Sequence, residues 1–256
     1  MTKYVAKKPN ASGDVDFTPE ENETWNILIE RQNKVIQNRA CDEYLAGLKK
    51  LDLPVHRIPQ CREISEVLKA TTGWSVVPVD AIIPLEKFFS LLANCQFPAA
   101  TFIRVRDDLD YLQEPDIFHE FFGHCPMLTE PAYADFVQWY GEQAVKTSKK
   151  VQAILGRLFW FTIEFGLVRT KAGLRIYGGG ILSSYAETLY ALDSKTPARC
   201  AFNLQNVLNT PYRYDEIQKI YFTLSDISEL FTLKTNKIIE LAEKIQDAPD
   251  NNFVIC

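Results

Sequence analysis

Apolar residues recur along much of the chain at the three- and four-residue spacing of helix faces. The first helix is predicted to begin at Thr18-Pro19, because threonine can cap a helix, proline suits its first turn and Glu21 completes a capping box. Short strands are predicted at 99–105 and 174–177. Further helices are predicted over 40–51, 62–72, 84–93, 131–168 with a break near 147–148, 183–192, and 226–246. The pattern therefore predicts a mainly α fold, a single multihelical domain with a few short β-strands.

The ends of the chain and its apolar runs indicate how it is organised. Residues 1–17 have no apolar period and are predicted to form a flexible N-terminal tail, so 18–256 are expected to form one domain. We find no internal repeat, low-complexity segment or linker rich in Gly, Pro or Ser that would indicate a second domain. The longest apolar stretch, 88–103, contains Asn94, Gln96 and Pro98 and is not expected to span a bilayer.

Composition narrows the class of protein. The chain has 256 residues, 46% hydrophobic and 24% charged, with a net charge of -5, which is typical of a globular protein. Long basic runs are absent from the sequence, so neither nucleic acid nor a membrane is expected as a partner. The six cysteines form no CxxC pair and no signal peptide precedes them, so we expect reduced thiols and a cytoplasmic location.

Two of the three histidines, His119 and His124, lie within six consecutive residues. The histidines of a zinc-protease motif are four residues apart and share a helix face, whereas a spacing of five separates them by roughly 140° on an ideal α-helix. We expect the helix to end at Gly123, with Pro126 following, so that His124 can turn back towards His119 and the two imidazoles can share one cation. The alternative is that the histidines cap the helix end or satisfy core carbonyl groups.

Glu164 is a candidate third ligand, because it lies within the aromatic run 158–168, where a carboxylate is costly unless it is paired or bound to a metal. An ion pair with Arg157 or Arg169, or a place on a polar helix edge, would also account for it. Two imidazoles and one carboxylate suit non-haem Fe(II) chemistry with open coordination positions, and the same set could hold zinc in a hydrolase. From these residues alone both metals remain possible.

A set of separated motifs resembles the catalytic domain of the pterin-dependent aromatic amino acid hydroxylases, in particular the single-domain bacterial members. The resemblance holds its register from about Thr72 to Glu187 and is loose after Leu192. It implies an iron(II)- and tetrahydropterin-dependent monooxygenase that converts L-phenylalanine to L-tyrosine with O2 through an iron(IV)-oxo species. The motifs are Arg104, 111–116, His119-Glu120, Gly123-His124, 159–166, 177–180 and 182–184.

The resemblance also implies a role for each matching residue. The iron ligands would be His119, His124 and Glu164. The substrate would contact Arg104, which binds its carboxylate, and Pro115, Trp160, Gly180 and Ser183. The pterin would lie against Val79, Ala81, Ile83, Phe88 and Glu120, with Glu120 also taking a catalytic role and Asp116 orienting a ligand imidazole. Without the family, Arg104 would be expected to pair at the surface with Asp107 or Asp108, the apolar wall would be plain core, and the glycine run 178–180 a tight turn.

The chain departs from the animal members at three positions, with Leu112 in place of a hydroxyl residue, Phe159 in place of tyrosine and Ala81 in place of glycine. Leu112 removes one polar contact to the substrate, which a backbone or water contact can replace. We also expect no regulatory domain before Thr18, no tetramerising coiled coil after the last helix, and no substrate-activated allostery.

Several alternatives remain. The substrate could be tryptophan or tyrosine, with ring specificity depending partly on the region around 221–223. A zinc hydrolase with the same three ligands and a metal-free helical interaction domain are alternatives of other classes. The expected partners are L-phenylalanine, O2 and a tetrahydropterin, together with a pterin-recycling dehydratase that acts separately.

Overall fold

Helices dominate the fold. The computed structural model describes residues 4–80, 82–110 and 114–246. Within these residues the helices are α1 (Pro19–Val35), α2 (Asp42–Leu51), α3 (Cys61–Thr72), α4 (Leu85–Ala93), α5 (Cys125–Leu128), α6 (Pro131–Ala144), α7 (Lys149–Phe159), α8 (Gly179–Leu182), α9 (Tyr185–Asp193), α10 (Leu204–Asn209), α11 (Ser228–Thr232) and α12 (Lys237–Gln246). A 3₁₀ turn, Arg106–Asp108, and two π-helical segments, His119–His124 and Trp160–Glu164, complete them. The predicted mainly α fold with short strands is confirmed.

Local signals set the helix ends where they were predicted. Thr18 caps α1 with a capping box to Glu21, and Gly73 ends α3 in the left-handed conformation at a φ of 81°. Ser148 caps α7 by accepting a hydrogen bond from the backbone N–H of Val151, which confirms the break near 147–148. The predicted helix 226–246 is two helices, α11 and α12, because residues 233–236 interrupt it.

Two small sheets join distant parts of the chain. The strands are β1 (Ser75–Val79), β2 (Gln96–Ala100), β3 (Leu167–Thr170), β4 (Gly173–Ile176), β5 (Ala198–Ala201) and β6 (Ile220–Leu224). Strands β1 and β2 pair in parallel. The second sheet has the order β4-β3-β6-β5, with β3–β4 antiparallel and the other two pairs parallel. The predicted strand 174–177 corresponds to β4.

The other predicted strand, 99–105, is displaced, since β2 ends at Ala100. Residues 101–105 are used elsewhere: Thr101 bonds to Lys7, the carbonyl of Phe102 accepts from Ile117, and the amide of Arg104 donates to Asp116. The predicted helix end at 168 is also wrong, because helical structure stops at Glu164 and β3 begins at Leu167. A Cβ on Gly166 would lie 2.2 Å from Cζ of Tyr177, so glycine permits the tight turn from helix to sheet.

The N-terminal segment 4–17 has no helix or strand and lies against the helical body. Tyr4 stacks on Phe102 with ring centroids 4.7 Å apart, and the amide of buried Val15 donates to Gln60. The mobility of 1–17 and the extent of the domain, 18–256, remain predictions. Buried apolar side chains from α1 to α12 form one cluster. None of the helices in the described ranges is long and apolar enough to cross a membrane.

The cysteines differ from the expectation of six reduced thiols. Cys41, Cys61, Cys95 and Cys125 are free, but Cys200 is in a disulfide, so the expectation is wrong for that residue. No other cysteine lies within fifty residues of Cys200 in the sequence, and such a long-range bridge leaves no local spacing to detect.

Candidate active site

His119 and His124 are brought together by a π-helical segment. Their Nε2 atoms are 3.0 Å apart. The helix does not end at Gly123 as expected; it continues into α5, and the amide of Cys125 donates to the carbonyl of Glu120, five residues earlier. Because hydrogen bonds from i to i+5 widen the turn, a spacing of five residues is compatible with one shared face. The five-residue spacing therefore reflects a π-helix.

The glycine run after β4 allows α8 to approach the two ligand candidates closely. A Cβ on Gly179 would lie 2.5 Å from Nδ1 of His124, and one on Gly180 would lie 2.8 Å from Oε2 of Glu164. A side chain at either position would collide with His124 or Glu164. Gly180, predicted to lie beside the substrate backbone, thus also contacts the candidate metal site.

Glu164 ends the second π-helical segment and faces both imidazoles. Its Oε1 lies 3.2 Å from Nε2 of His124 and its Oε2 lies 3.6 Å from Nε2 of His119. The expected alternative partners are engaged or turned away, since Arg157 donates to the carbonyl of Leu208 and Arg169 is exposed. The three predicted ligands therefore converge on one point.

The protonation states favour metal binding. Burial lowers the pKa of His119 to about 4, although the nearby Glu164 carboxylate acts in the opposite direction, so the imidazole is neutral at neutral pH. Burial raises the pKa of Glu164, but its interactions with His124 and His119 lower it by more, so the pKa lies below its ordinary value. A neutral imidazole at His119 and a carboxylate at Glu164 are ligand forms that a divalent cation binds.

The spacing of the donor atoms also fits a metal. Two nitrogens bound at about 2.1 Å and at right angles to each other lie about 3.0 Å apart, and the two Nε2 atoms are separated by 3.0 Å. In the tautomer that leaves Nε2 free, the Nδ1–H of His119 donates to Oγ of Ser183 at 3.0 Å. Ser183 therefore orients one imidazole.

Glu120 places a second carboxyl group near the same atoms. Its oxygen and the histidine nitrogens lie within 4.8 Å of one another. Burial, together with the charges of Glu164 and Asp116, raises the pKa of Glu120 well above its ordinary value. The raised pKa favours the protonated form of Glu120, which can donate a hydrogen bond, whereas the lowered pKa of Glu164 favours its carboxylate.

Arg104 and Asp116 form a buried pair beside the histidines. Their side chains are 3% and 0% exposed, and Nε and Nη2 of Arg104 donate to the two carboxylate oxygens at 2.8 and 2.9 Å. A surface pair of Arg104 with Asp107 or Asp108 is therefore excluded. Asp116 also accepts from the backbone amide of His119 at 2.9 Å, so it contacts the main chain of this residue and not its imidazole.

A cavity of about 500 Å³ opens beside the histidines, within the range of small-molecule sites. The predicted site residues His124 and Asp116 do not line it, and Ala81 lies outside the described residues, as does Leu112. The predicted residues that line the cavity are Val79, Ile83, Phe88, Arg104, Pro115, His119, Glu120, Trp160, Glu164, Gly180 and Ser183. One cavity thus joins the candidate metal, substrate and pterin residues.

Part of the cavity wall was not predicted from the sequence. Tyr212 stacks on Trp160 with ring centroids 4.4 Å apart, and Nε1 of Trp160 donates to Oε1 of Gln218 at 3.0 Å. Glu187 also lines the cavity. The region 221–223, expected to affect ring specificity, is the buried strand β6, and the loop before it supplies the lining residues. A loop residue such as Gln218 leaves no periodic signal.

The remaining candidates lie outside the cavity. His56 is exposed, and Cys125 is a buried free thiol whose pKa burial raises well above its ordinary value. Neither residue is part of the cavity lining.

Comparisons with known proteins agree with this geometry. A family model described as biopterin-dependent aromatic amino acid hydroxylase matches residues 3–253. The phenylalanine-4-hydroxylase of Pseudomonas aeruginosa is 54% identical over 243 residues, covering 95% of this chain and 92% of that protein.

Two solved structures are similar in fold. The apo structure of the cold-active phenylalanine hydroxylase from Colwellia psychrerythraea is 49% identical, with a TM-score of 0.91 and coverage of 94% of both chains. The Chromobacterium violaceum enzyme with bound iron(III) and 7,8-dihydrobiopterin is 42% identical, with a TM-score of 0.88 and coverage of 94% of this chain and 87% of that one.

Proposed function

The chain belongs to the biopterin-dependent aromatic amino acid hydroxylases, and from that premise we propose that it hydroxylates L-phenylalanine to L-tyrosine with iron(II), a tetrahydropterin and O2. The observation that carries the proposal is the convergence of His119, His124 and Glu164 at the edge of a cavity that also contains a buried arginine. Three protein ligands leave open coordination positions, as oxygen chemistry requires.

His119, His124 and Glu164 would hold the iron. Iron(II) and the reduced pterin supply the electrons for oxygen activation when they are bound. Ser183 keeps His119 in the tautomer with a free Nε2, and Gly180 leaves room for the Glu164 carboxylate. The family match and the similarity to an enzyme with bound iron(III) favour iron, so the zinc hydrolase alternative is not favoured.

The substrate would be held at both ends. Arg104 uses Nε and Nη2 to bind Asp116, which leaves Nη1 for the substrate carboxylate. Pro115 and Trp160 would contact the aromatic ring, and the stack of Tyr212 on Trp160 keeps the indole in a single orientation. This arrangement would fix the ring relative to the histidines and exclude water from around it.

The pterin would lie against an apolar part of the cavity wall. Val79, Ile83 and Phe88 line the cavity, and Phe88 packs edge-on against Phe159 with centroids 5.0 Å apart. In its protonated form, which the raised pKa favours, Glu120 would donate a hydrogen bond to a pterin nitrogen or carbonyl oxygen. Ala81 is assigned to this wall on the resemblance alone.

Two finer assignments complete the proposal. We place the enzyme in the cytoplasm, supported by the free thiols of Cys41, Cys61, Cys95 and Cys125. A separate dehydratase would remove water from the hydroxylated pterin product, and a reductant would then be needed to restore the tetrahydropterin.

The test is product analysis with Fe(II), tetrahydrobiopterin and O2, using phenylalanine, tyrosine and tryptophan in separate reactions. We expect tyrosine from phenylalanine as the main product, and background activity for Glu164→Ala. Glu240→Ala, on the exposed face of α12, is the matched control and should keep full activity. Faster hydroxylation of tryptophan or tyrosine would replace the substrate assignment, and activity that survives Glu164→Ala would remove Glu164 from the ligand set.

A further inference from the structure

One carboxylate on the cavity wall has no place in the proposed mechanism. Glu187, in α9, is 3% exposed and lines the cavity. Both of its hydrogen bonds go to Oε1: the hydroxyl of Tyr221 donates to it, and so does the amide of Gln218 at 3.2 Å. Among the described residues no hydrogen-bond donor reaches Oε2, which leaves this oxygen available to a ligand in the cavity that Glu187 lines.

The other glutamates that line the cavity are already engaged. Glu164 faces the two imidazoles, and Glu120 is close to the same nitrogens. Glu216 is at the surface, where it pairs with Arg213 and Lys219. Glu114 has an interaction of its own. Glu187 thus differs from them in offering a buried acceptor that forms no ion pair with any of the described residues.

A buried carboxylate without a counter-charge favours a positively charged ligand. Burial raises the pKa of Glu187 to about 7, although the hydrogen bonds from Tyr221 and Gln218 act in the opposite direction. A ligand that places a cation against Oε2 would recover the cost of burying the charge. The cavity already contains Arg104, whose chemistry selects an anion.

We propose that Oε2 of Glu187 binds the α-ammonium group of the amino acid substrate, as the counterpart of Arg104 at its carboxylate. The inference rests on the proposed function and adds to it the residue that selects an α-amino acid over an aryl carboxylic acid. Gln218 links this contact to the ring pocket. Its backbone N–H donates to Oε1 of Glu187, and its side-chain oxygen accepts a hydrogen bond from Nε1 of Trp160. The same residue therefore positions the ammonium site and the aromatic wall.

The experiment compares two ligands that differ in one group. L-Phenylalanine and 3-phenylpropanoate share the ring and the carboxylate, but only the first has an ammonium group. Their binding to the anaerobic Fe(II)-loaded enzyme is measured by calorimetry, without turnover. Because 3-phenylpropanoate cannot form the charged hydrogen bond to Glu187, we expect the wild-type enzyme to bind phenylalanine about ten- to a hundredfold more tightly. Glu187→Gln should abolish most of this preference.

Glu187→Gln is a conservative change, since the amide oxygen can still accept from Tyr221 and Gln218 while the NH₂ group faces the ammonium. Binding of 3-phenylpropanoate should therefore change little. Glu216→Gln, which alters another carboxylate of the same cavity, is the matched control and should keep the wild-type preference.

Three results would overturn the assignment. The first is that the wild-type enzyme binds both ligands equally well. The second is that folded Glu187→Gln keeps the wild-type preference for phenylalanine, and the third is that Glu216→Gln loses this preference instead. The first needs no variant and so does not depend on the folding of Glu187→Gln. A wild-type enzyme that binds neither ligand would contradict the proposed function itself, which separates the two failures.

Discussion

Replacing Asp116 by asparagine should destabilise the protein strongly, because the carboxylate is fully buried and accepts four hydrogen bonds. Its Oδ2 accepts from N and Nε of Arg104 at 2.9 and 2.8 Å. Its Oδ1 accepts from Nη2 of Arg104 and from N of His119, both at 2.9 Å. An asparagine must place an NH₂ group where one oxygen was, and that group then faces two N–H donors in either orientation of the amide.

The size of the effect follows from the burial of both partners. Arg104 is 3% exposed, so Asp116→Asn leaves a buried guanidinium without its counter-charge. Removing one partner of such a pair costs about 3–5 kcal/mol. For a chain of this size that loss lowers the melting temperature by roughly 6–20 °C.

Urea unfolding and thermal melts of the two proteins measure this difference. Asp215→Asn is the matched control, because Arg213 donates to Asp215 through two nitrogens at 2.9 and 2.6 Å, but the side chains are 66% and 37% exposed. This surface pair should contribute little to stability, because water and salt screen the two exposed charges. If Asp116→Asn were no more destabilising than Asp215→Asn, the argument that the buried pair organises the site would be refuted.

Three further predictions concern the site and the cavity. Ser183→Ala should weaken metal binding by about ten- to a hundredfold, because His119 loses the hydrogen-bond partner of its Nδ1. A chelator competition measures the affinity, and an unchanged value would contradict the role of Ser183 in orienting His119. Gly180→Ala should fold but bind metal substoichiometrically by elemental analysis, since its Cβ would lie 2.8 Å from Oε2 of Glu164; full loading would show that the carboxylate can move aside. Burial raises the pKa of Glu187 from 4.5 to about 7, so between these pH values the folded state binds a proton that the unfolded state has lost, and the wild type loses stability as pH rises. The stability of Glu187→Gln relative to the wild type should therefore rise by up to about 3 kcal/mol between roughly pH 4 and pH 8. A pH-independent difference in urea unfolding would contradict this.

Much of the helical fold was predictable from local signals. Capping residues and glycine stops are read from a few neighbouring residues, as at Thr18, Gly73 and Ser148. Most strands were not predicted, because they are four or five residues long and pair with partners far away in the sequence, as β3 does with β6. Residues 101–105 have the composition of a strand but bond to the N-terminal segment and to Ile117 and Asp116 instead.

Some residues of the site could be predicted from the sequence and others could not. The spacing of His119 and His124 indicated that a regular α-helix would not place both imidazoles on one face. The π-helix that does so was not predicted, because it leaves no periodic pattern of hydrophobic residues. Glu164 could be predicted because a carboxylate within an aromatic run is costly to bury unless it is paired or bound to a metal. Glu187 and Gln218 were missed because Glu187 lies in α9 and Gln218 in the loop before β6, and neither belongs to a motif that points to the cavity.

The central claim is that this chain inserts one oxygen atom of O2 into the ring of phenylalanine. The most direct test is a reaction under ¹⁸O₂ with Fe(II), tetrahydrobiopterin and L-phenylalanine, followed by mass spectrometry of the tyrosine formed. We expect the tyrosine to be heavier by one ¹⁸O atom and to carry no label when H₂¹⁸O replaces ¹⁸O₂ as the labelled reagent. Tyrosine that takes its oxygen from water, or the absence of tyrosine, would contradict the account.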